Sequence, residues 1–101
     1  MTPDQVLDRA ADLLERDGWQ RNEDGPSDPT EHAPRCTYGA LRAAVWGRSE
    51  RFDFEAEVRD ALLAEVKSHT ISGWNDHKAK DRRQVVRALR RTARKLRGAK
   101  R

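Results

Sequence analysis

This chain has little of what most functional classes require. It holds a single cysteine, so no internal disulfide can form and a reducing cytoplasm is the expected compartment. No apolar run approaches the roughly 18 residues of a membrane span, and the first residues lack the basic-then-apolar pattern of a secretory signal. No glycine-rich phosphate loop is present, no repeat is visible and no segment alternates as a strand does. Only 36% of the 101 residues are hydrophobic and 6% aromatic, which leaves room for one domain with a modest core. Those apolar residues are nevertheless clustered and periodic, which argues for folded helices with polar outer faces rather than disorder.

Charge is abundant, at 38% of residues, and unevenly placed. Residues 1–76 carry 9 Lys/Arg against 16 Asp/Glu, a balance of −7, while residues 77–101 carry 12 against 1, a balance of +11. An acidic body with a basic end suggests a polyanionic partner.

The least charged stretch is Cys36-Thr37-Tyr38-Gly39-Ala40-Leu41-Arg42-Ala43-Ala44-Val45-Trp46-Gly47. Thr37 suits a helix cap and Gly47 a helix end. Tyr38, Leu41 and Val45 follow helical spacing, and small residues occupy the other faces. The stretch therefore predicts a central helix over 37–47, packed by three others in a single all-α domain.

The first of those three starts at Thr2-Pro3-Asp4-Gln5, a capping box with proline at the first helical position. Val6, Ala10, Leu13 and Leu14 form its apolar side, and Asp17-Gly18 closes it. Asp4, Asp8, Asp12 and Glu15 cluster opposite, as a solvated face or a partner-binding stripe. Trp19, just past the glycine, is expected to fold back as a core plug. Residues 20–35 contain three of the four prolines and no large apolar side chain, so they read as a surface loop, longer than most connections. Asp53 is the expected cap of the third helix, with Phe54, Val58, Ala61, Leu62 and Val66 on its buried side. A compact turn at 71–76 leads to Asp81-Arg82-Arg83-Gln84, where Asp81 and Gln84 cap a fourth helix ending near Arg97. Residues 1–97 then form the domain and 98–101 a basic tail. Trp19, Leu41, Val45, Leu62, Trp74 and Leu89 should share one core.

Chemistry-bearing constellations are sparse. His32 and Cys36 make a His-x3-Cys pair, with His69, Asp76 and His77 as conceivable additions. Zinc sites need four ligands, usually paired on turns, and those pairs do not exist here. Cys36 reads as a small buried hydrophobe. We expect no catalytic residue, no metal and no cofactor, hence no enzyme. Asn75 can hold an irregular turn through bonds to nearby backbone, with Trp74 buried beside it; a ligand site at Trp74-Asn75-Asp76 is the alternative.

The fourth helix carries the sharpest signal. Val85, Leu89, Thr92 and Leu96 lie on one side, while Arg83, Arg87, Arg90 and Arg94 lie opposite. Guanidinium groups suit phosphate, so this row, extended by Arg91, Lys95 and Arg97, is the candidate nucleic-acid surface, largely without sequence preference. The alternative is a solvated face that also answers the acidic stripe of the first helix. A membrane surface is disfavoured because the apolar side lacks aromatics. A protein partner using the acidic stripe or loop 20–36 is the competing function.

Gly18-Trp19, Cys36-Thr37-Tyr38-Gly39-Ala40-Leu41 and Trp74-Asn75-Asp76, in this order, resemble a family of short actinobacterial and actinophage proteins catalogued as a domain of unknown function. The resemblance spans roughly residues 5–96. It implies a compact domain from an actinobacterium or one of its phages and carries no catalytic assignment. Gln20 departs from the small polar residue or cysteine that often follows Gly-Trp, and the basic extension past Leu96 looks like an addition to the family pattern.

Overall fold

Elementary capping chemistry opens the chain. In the computed structural model, which describes residues 1–47 and 51–99 and the side chains of 1–47 and 56–99, the Thr2 N–H donates to Gln5 Oε1 at 2.9 Å. Pro3 takes the first position of α1 (Pro3–Asp17), where its missing N–H costs nothing. The helix buries Val6, Leu7, Ala10, Ala11, Leu13 and Leu14, and ends as Gly18 turns to φ +102°.

The second helix, α2 (Thr37–Ala44), differs from expectation at both ends. Its cap is Cys36, whose Sγ accepts the Gly39 N–H at 3.2 Å. Thr37 is the first helical residue instead, and its hydroxyl turns inward. The helix stops at Ala44, before the left-handed Gly47 (φ +74°). Its buried side is built from Thr37, Gly39, Ala40, Leu41, Ala43 and Ala44, small residues that let a neighbouring backbone come close. Tyr38 lies off that side and is 37% exposed, Trp46 is 53% exposed, and Val45 is half-buried. The expected apolar stripe through Tyr38 and Val45 is thus replaced by an alanine seam.

Helix α3 (Arg51–Val66) begins ahead of Asp53, so Asp53 lies inside the helix rather than at its cap. The connector 48–50 and the side chains of Asp53, Phe54 and Glu55 lie outside the described residues. Val58 and Leu62 are buried, with Leu63 and Val66 packed partly against them. A short helix, α4 (Ile71–Gly73), capped by Thr70 Oγ1 at 3.0 Å from the Gly73 N–H, runs into a π-helical turn at Trp74–Lys78. The last helix is α5 (Arg82–Ala99). Asp81 Oδ1 accepts the Gln84 N–H at 2.8 Å, and Gln84 Oε1 accepts the Lys80 N–H at 2.7 Å. It continues past the expected end at Arg97 through Gly98 and Ala99.

All the regular structure among the described residues is helical, apart from one isolated bridge between Trp19 and Arg35. Helix α1 packs against α2, α3 and α5, whereas α2 rests mainly on α1 and α4. The middle of the bundle is therefore α1 rather than α2. An alanine-rich helix can sit close to one neighbour, but it offers too little apolar volume to be wrapped by three. Leu41, Leu62, Trp74 and Leu89 share the core as expected, with Trp19 and Val45 packed partly against it.

Candidate functional site

Two polar regions invite a functional reading, and their chemistry differs. The first lies where loop 18–36, α2 and the π turn meet. The π turn carries Asn75 inward until it is fully buried. Its Oδ1 accepts from the Trp19 indole N–H at 2.6 Å, the Thr37 N–H at 2.9 Å and the Thr37 hydroxyl at 2.6 Å. Its Nδ2 donates to the Gln20 carbonyl at 3.1 Å and to Asp76 Oδ1 at 2.9 Å. One amide thus ties together three segments far apart in sequence. Asp76 Oδ1 also accepts the Asn22 N–H at 2.8 Å; that bond, with the one from Asn75, holds its carboxyl below the usual range. Trp74 is buried beside this node, and the Arg21 guanidinium lies 4.7 Å from the Trp19 ring centroid.

The long loop closes on a residue that sequence reasoning missed. Arg35 is fully buried. Its guanidinium donates to the carbonyls of Pro26 (2.8 Å), Asp28 (3.0 Å) and Glu31 (2.7 Å), and to Asp17 Oδ2 at 2.7 Å. Asp17 also takes Arg16 at 2.7 Å and His32 at 2.9 Å. Hydrogen bonds from Arg16, then Arg35 and His32, hold the Asp17 carboxyl far below the usual range against the opposing effect of burial. The loop is a shell around one guanidinium. Gly39 lets it dock: a Cβ there would lie 1.8 Å from the Asp24 carbonyl oxygen. Cys36, buried, approaches Asp24 Oδ1 at 3.5 Å, and burial raises its thiol pKa, which makes it a poor nucleophile. Among the described residues no three His, Cys, Asp or Glu side chains converge as a metal site. Nor is any described helix long and apolar enough to cross a membrane.

The second region is the outer side of α5. With Val85 at 0° and about 100° per residue, the basic residues fall into three strips. Arg97 and Arg90, near about 120° and 140°, flank α1. Arg90 reaches Asp12 at 2.7 Å, Glu15 at 2.8 Å and Asp8 at 3.4 Å, and Arg97 reaches Asp8 at 2.9 Å and Asp4 at 3.6 Å. Hydrogen bonds to Asp12 and then Glu15 raise the Arg90 pKa further. Arg91 and Lys95, near about 240° and 280°, flank α3, where Glu65 accepts both at 2.5 Å. Lys95 first, then Arg91, lowers the Glu65 pKa. Between the flanks runs the crest, Arg83, Arg94 and Arg87, near about 160–200°. These three, with Arg82, are exposed, and no ion pair joins them to a described residue. Arg82 was not among the sequence candidates; together with Arg83, Glu15 and Val86 it lines an open recess of about 230 Å³.

The expected acidic partner stripe (Asp4, Asp8, Asp12, Glu15) and part of the expected basic surface (Arg90, Arg97) therefore face each other within one molecule. The structural candidates Trp19, Cys36, Leu41, Trp74 and Asn75 gather in the core and at its polar node. No curated protein and no solved structure matches this chain. A family model matches residues 1–95, and the chain belongs to that family, a family of unknown function (DUF6197).

Proposed function

We propose that this protein is a non-enzymatic nucleic-acid-binding domain that holds a phosphate backbone against the crest of α5. The observation that supports this most is the contrast along one helix. Arg90, Arg91, Lys95 and Arg97 each reach a carboxylate, yet Arg82, Arg83, Arg87 and Arg94 stay exposed with no ion pair to a described residue. Arg83 to Arg94 spans about 16 Å at helical rise, long enough to follow several phosphates of one duplex. Side chains without a base-reading geometry position a backbone and do not specify sequence, so binding should be insensitive to sequence. A cytoplasmic setting in an actinobacterium or one of its phages goes with this reading.

Fluorescence anisotropy with a short labelled DNA duplex tests it. Each neutralised phosphate contributes roughly −0.9 to the slope of log K against log salt, so the three crest arginines give about −3. Replacing Arg83, Arg87 and Arg94 together by glutamine should remove most of that slope, and absence of binding by the intact protein near ~0.1 M salt would sink the proposal.

A second reading has its own observation. Among the described residues Trp46 and Tyr38 are the exposed large hydrophobics, and aromatic residues are favoured in protein interfaces. A protein partner would bind with weak salt dependence and be lost in Trp46→Ala.

A further inference from the structure

We infer that the carboxylate stripe of α1 is an internal mask that occupies Arg90 and Arg97, confining nucleic acid to the crest of α5. The inference rests on the nucleic-acid reading above and adds which arginines are withheld and by what. Arg90 lies only about 20° of helix rotation from Arg83, so on the wheel it belongs with the crest. Its contacts differ entirely: Asp12 at 2.7 Å, Glu15 at 2.8 Å and Asp8 at 3.4 Å. Arg97 shares Asp8, at 2.9 Å. Four acids thus answer two arginines, which leaves this edge of the surface net negative.

The opposite flank has the reverse balance, with Arg91 and Lys95 sharing the single carboxylate of Glu65. That flank stays net positive. A phosphate backbone approaching α5 is repelled from the α1 edge and attracted across the crest toward the α3 edge. The carboxylates of α1 stand on a helix whose apolar side is buried in the core, so their backbone positions are held alongside Arg90 and Arg97. Partly exposed pairs of this kind contribute little to stability. Their effect here is to remove two phosphate ligands from the surface, in the way a bound polyanion would.

The test uses the full chain, a short fluorescein-labelled DNA duplex and a salt series. Arg90→Gln alone should leave the salt slope unchanged, because that arginine is already occupied. The double substitution Asp12→Asn with Glu15→Gln leaves Arg90 only its 3.4 Å contact to Asp8, which also holds Arg97, and should steepen the slope by about one unit and tighten binding several-fold at low salt. Adding Arg90→Gln to that double variant should return the slope to the wild-type value, which separates release of Arg90 from simple loss of negative charge. Circular dichroism melting of every variant checks that the bundle is intact. A slope about one unit shallower in Arg90→Gln alone would overturn the mask while leaving nucleic-acid binding standing. So would a steepening in the double variant that persists without Arg90. Failure of the wild-type protein to bind the duplex at all would remove both the mask and the reading beneath it.

Discussion

The node around Asn75 and Arg35 and the crest of α5 are both polar and both rich in arginine, yet they have opposite bookkeeping. At the node every group is answered: among the described residues no buried side-chain nitrogen or oxygen lacks a partner. Arg35 has three short backbone carbonyl contacts and a carboxylate, and Asn75 uses both ends of its amide. At the crest, Arg83, Arg87 and Arg94 are exposed and make no ion pair with a described residue. A buried polar group left unpaired costs about 1–3 kcal/mol, so satisfaction marks a structural device. Exposed guanidinium groups cost the fold little and remain available to a ligand. The difference teaches that arginine content alone locates nothing; the partners already in place separate scaffold from surface.

Breaking the node should have the largest effect. Arg35→Ala leaves carbonyls and Asp17 without their shared donor, and losing one partner of a buried charge pair costs about 3–5 kcal/mol. Chemical denaturation should place the variant near the edge of folding, since small domains hold only about 5–15 kcal/mol. Asn75→Ala strands the Trp19 indole N–H and the Thr37 donors and should cost about 3 kcal/mol or more. Asn75→Asp sharpens the point. It keeps an acceptor but loses the donor bond to Asp76 and sets two carboxylates together, so it should be destabilised at neutral pH and partly recover on acidification.

Acid should act mainly on the node as well. Asp17 has a folded-state pKa well below that of an unfolded aspartate, and Asp76 and Glu65 shift the same way. A depressed carboxylate contributes stability that is present above its unfolded value, about 3.9 for Asp and 4.3 for Glu. That contribution is lost as pH falls through the folded value. Denaturation midpoints should therefore hold steady above about pH 5 and drop below about pH 4. Asp17→Asn, though less stable overall, should flatten that drop.

The smallest effects belong to α5. Glu65→Gln takes one nearly covered carboxylate away from the exposed Arg91 and Lys95 while leaving an amide oxygen to accept, and should cost about 1 kcal/mol. Arg83, Arg87 and Arg94 together changed to glutamine should move stability by no more than about 0.5 kcal/mol per site.

Much of this was legible in the chain. The capping residues of α1 and α5, the apolar spacing of Val58 and Leu62 and the split faces of α5 are local signals, and the helices formed where they indicate. Trp19, Trp74 and Asn75 read as structural from their surroundings in the sequence; Trp19 and Asn75 bond to each other at the node, and Trp74 is buried in the core. Arg35 was not legible, because a proline-rich polar stretch reads as solvent-exposed. Its partners are mostly backbone carbonyls, which leave no trace in composition. Cys36 displaced Thr37 as the cap of α2 because Thr37 is drawn inward to Asn75, a partner 38 residues away. Helical phase alone put Arg90 with Arg83, since the wheel does not show that α1 lies alongside.

A crossed measurement of duplex affinity and thermal stability on two variants tests the contrast most directly. The crest triple substitution, Arg83, Arg87 and Arg94 to glutamine, should keep the wild-type melting temperature and lose the salt-dependent affinity. Asn75→Ala, assayed well below its own melting temperature, should melt far lower and bind with the wild-type salt slope. A crest variant that melts early while its affinity stands would contradict the account.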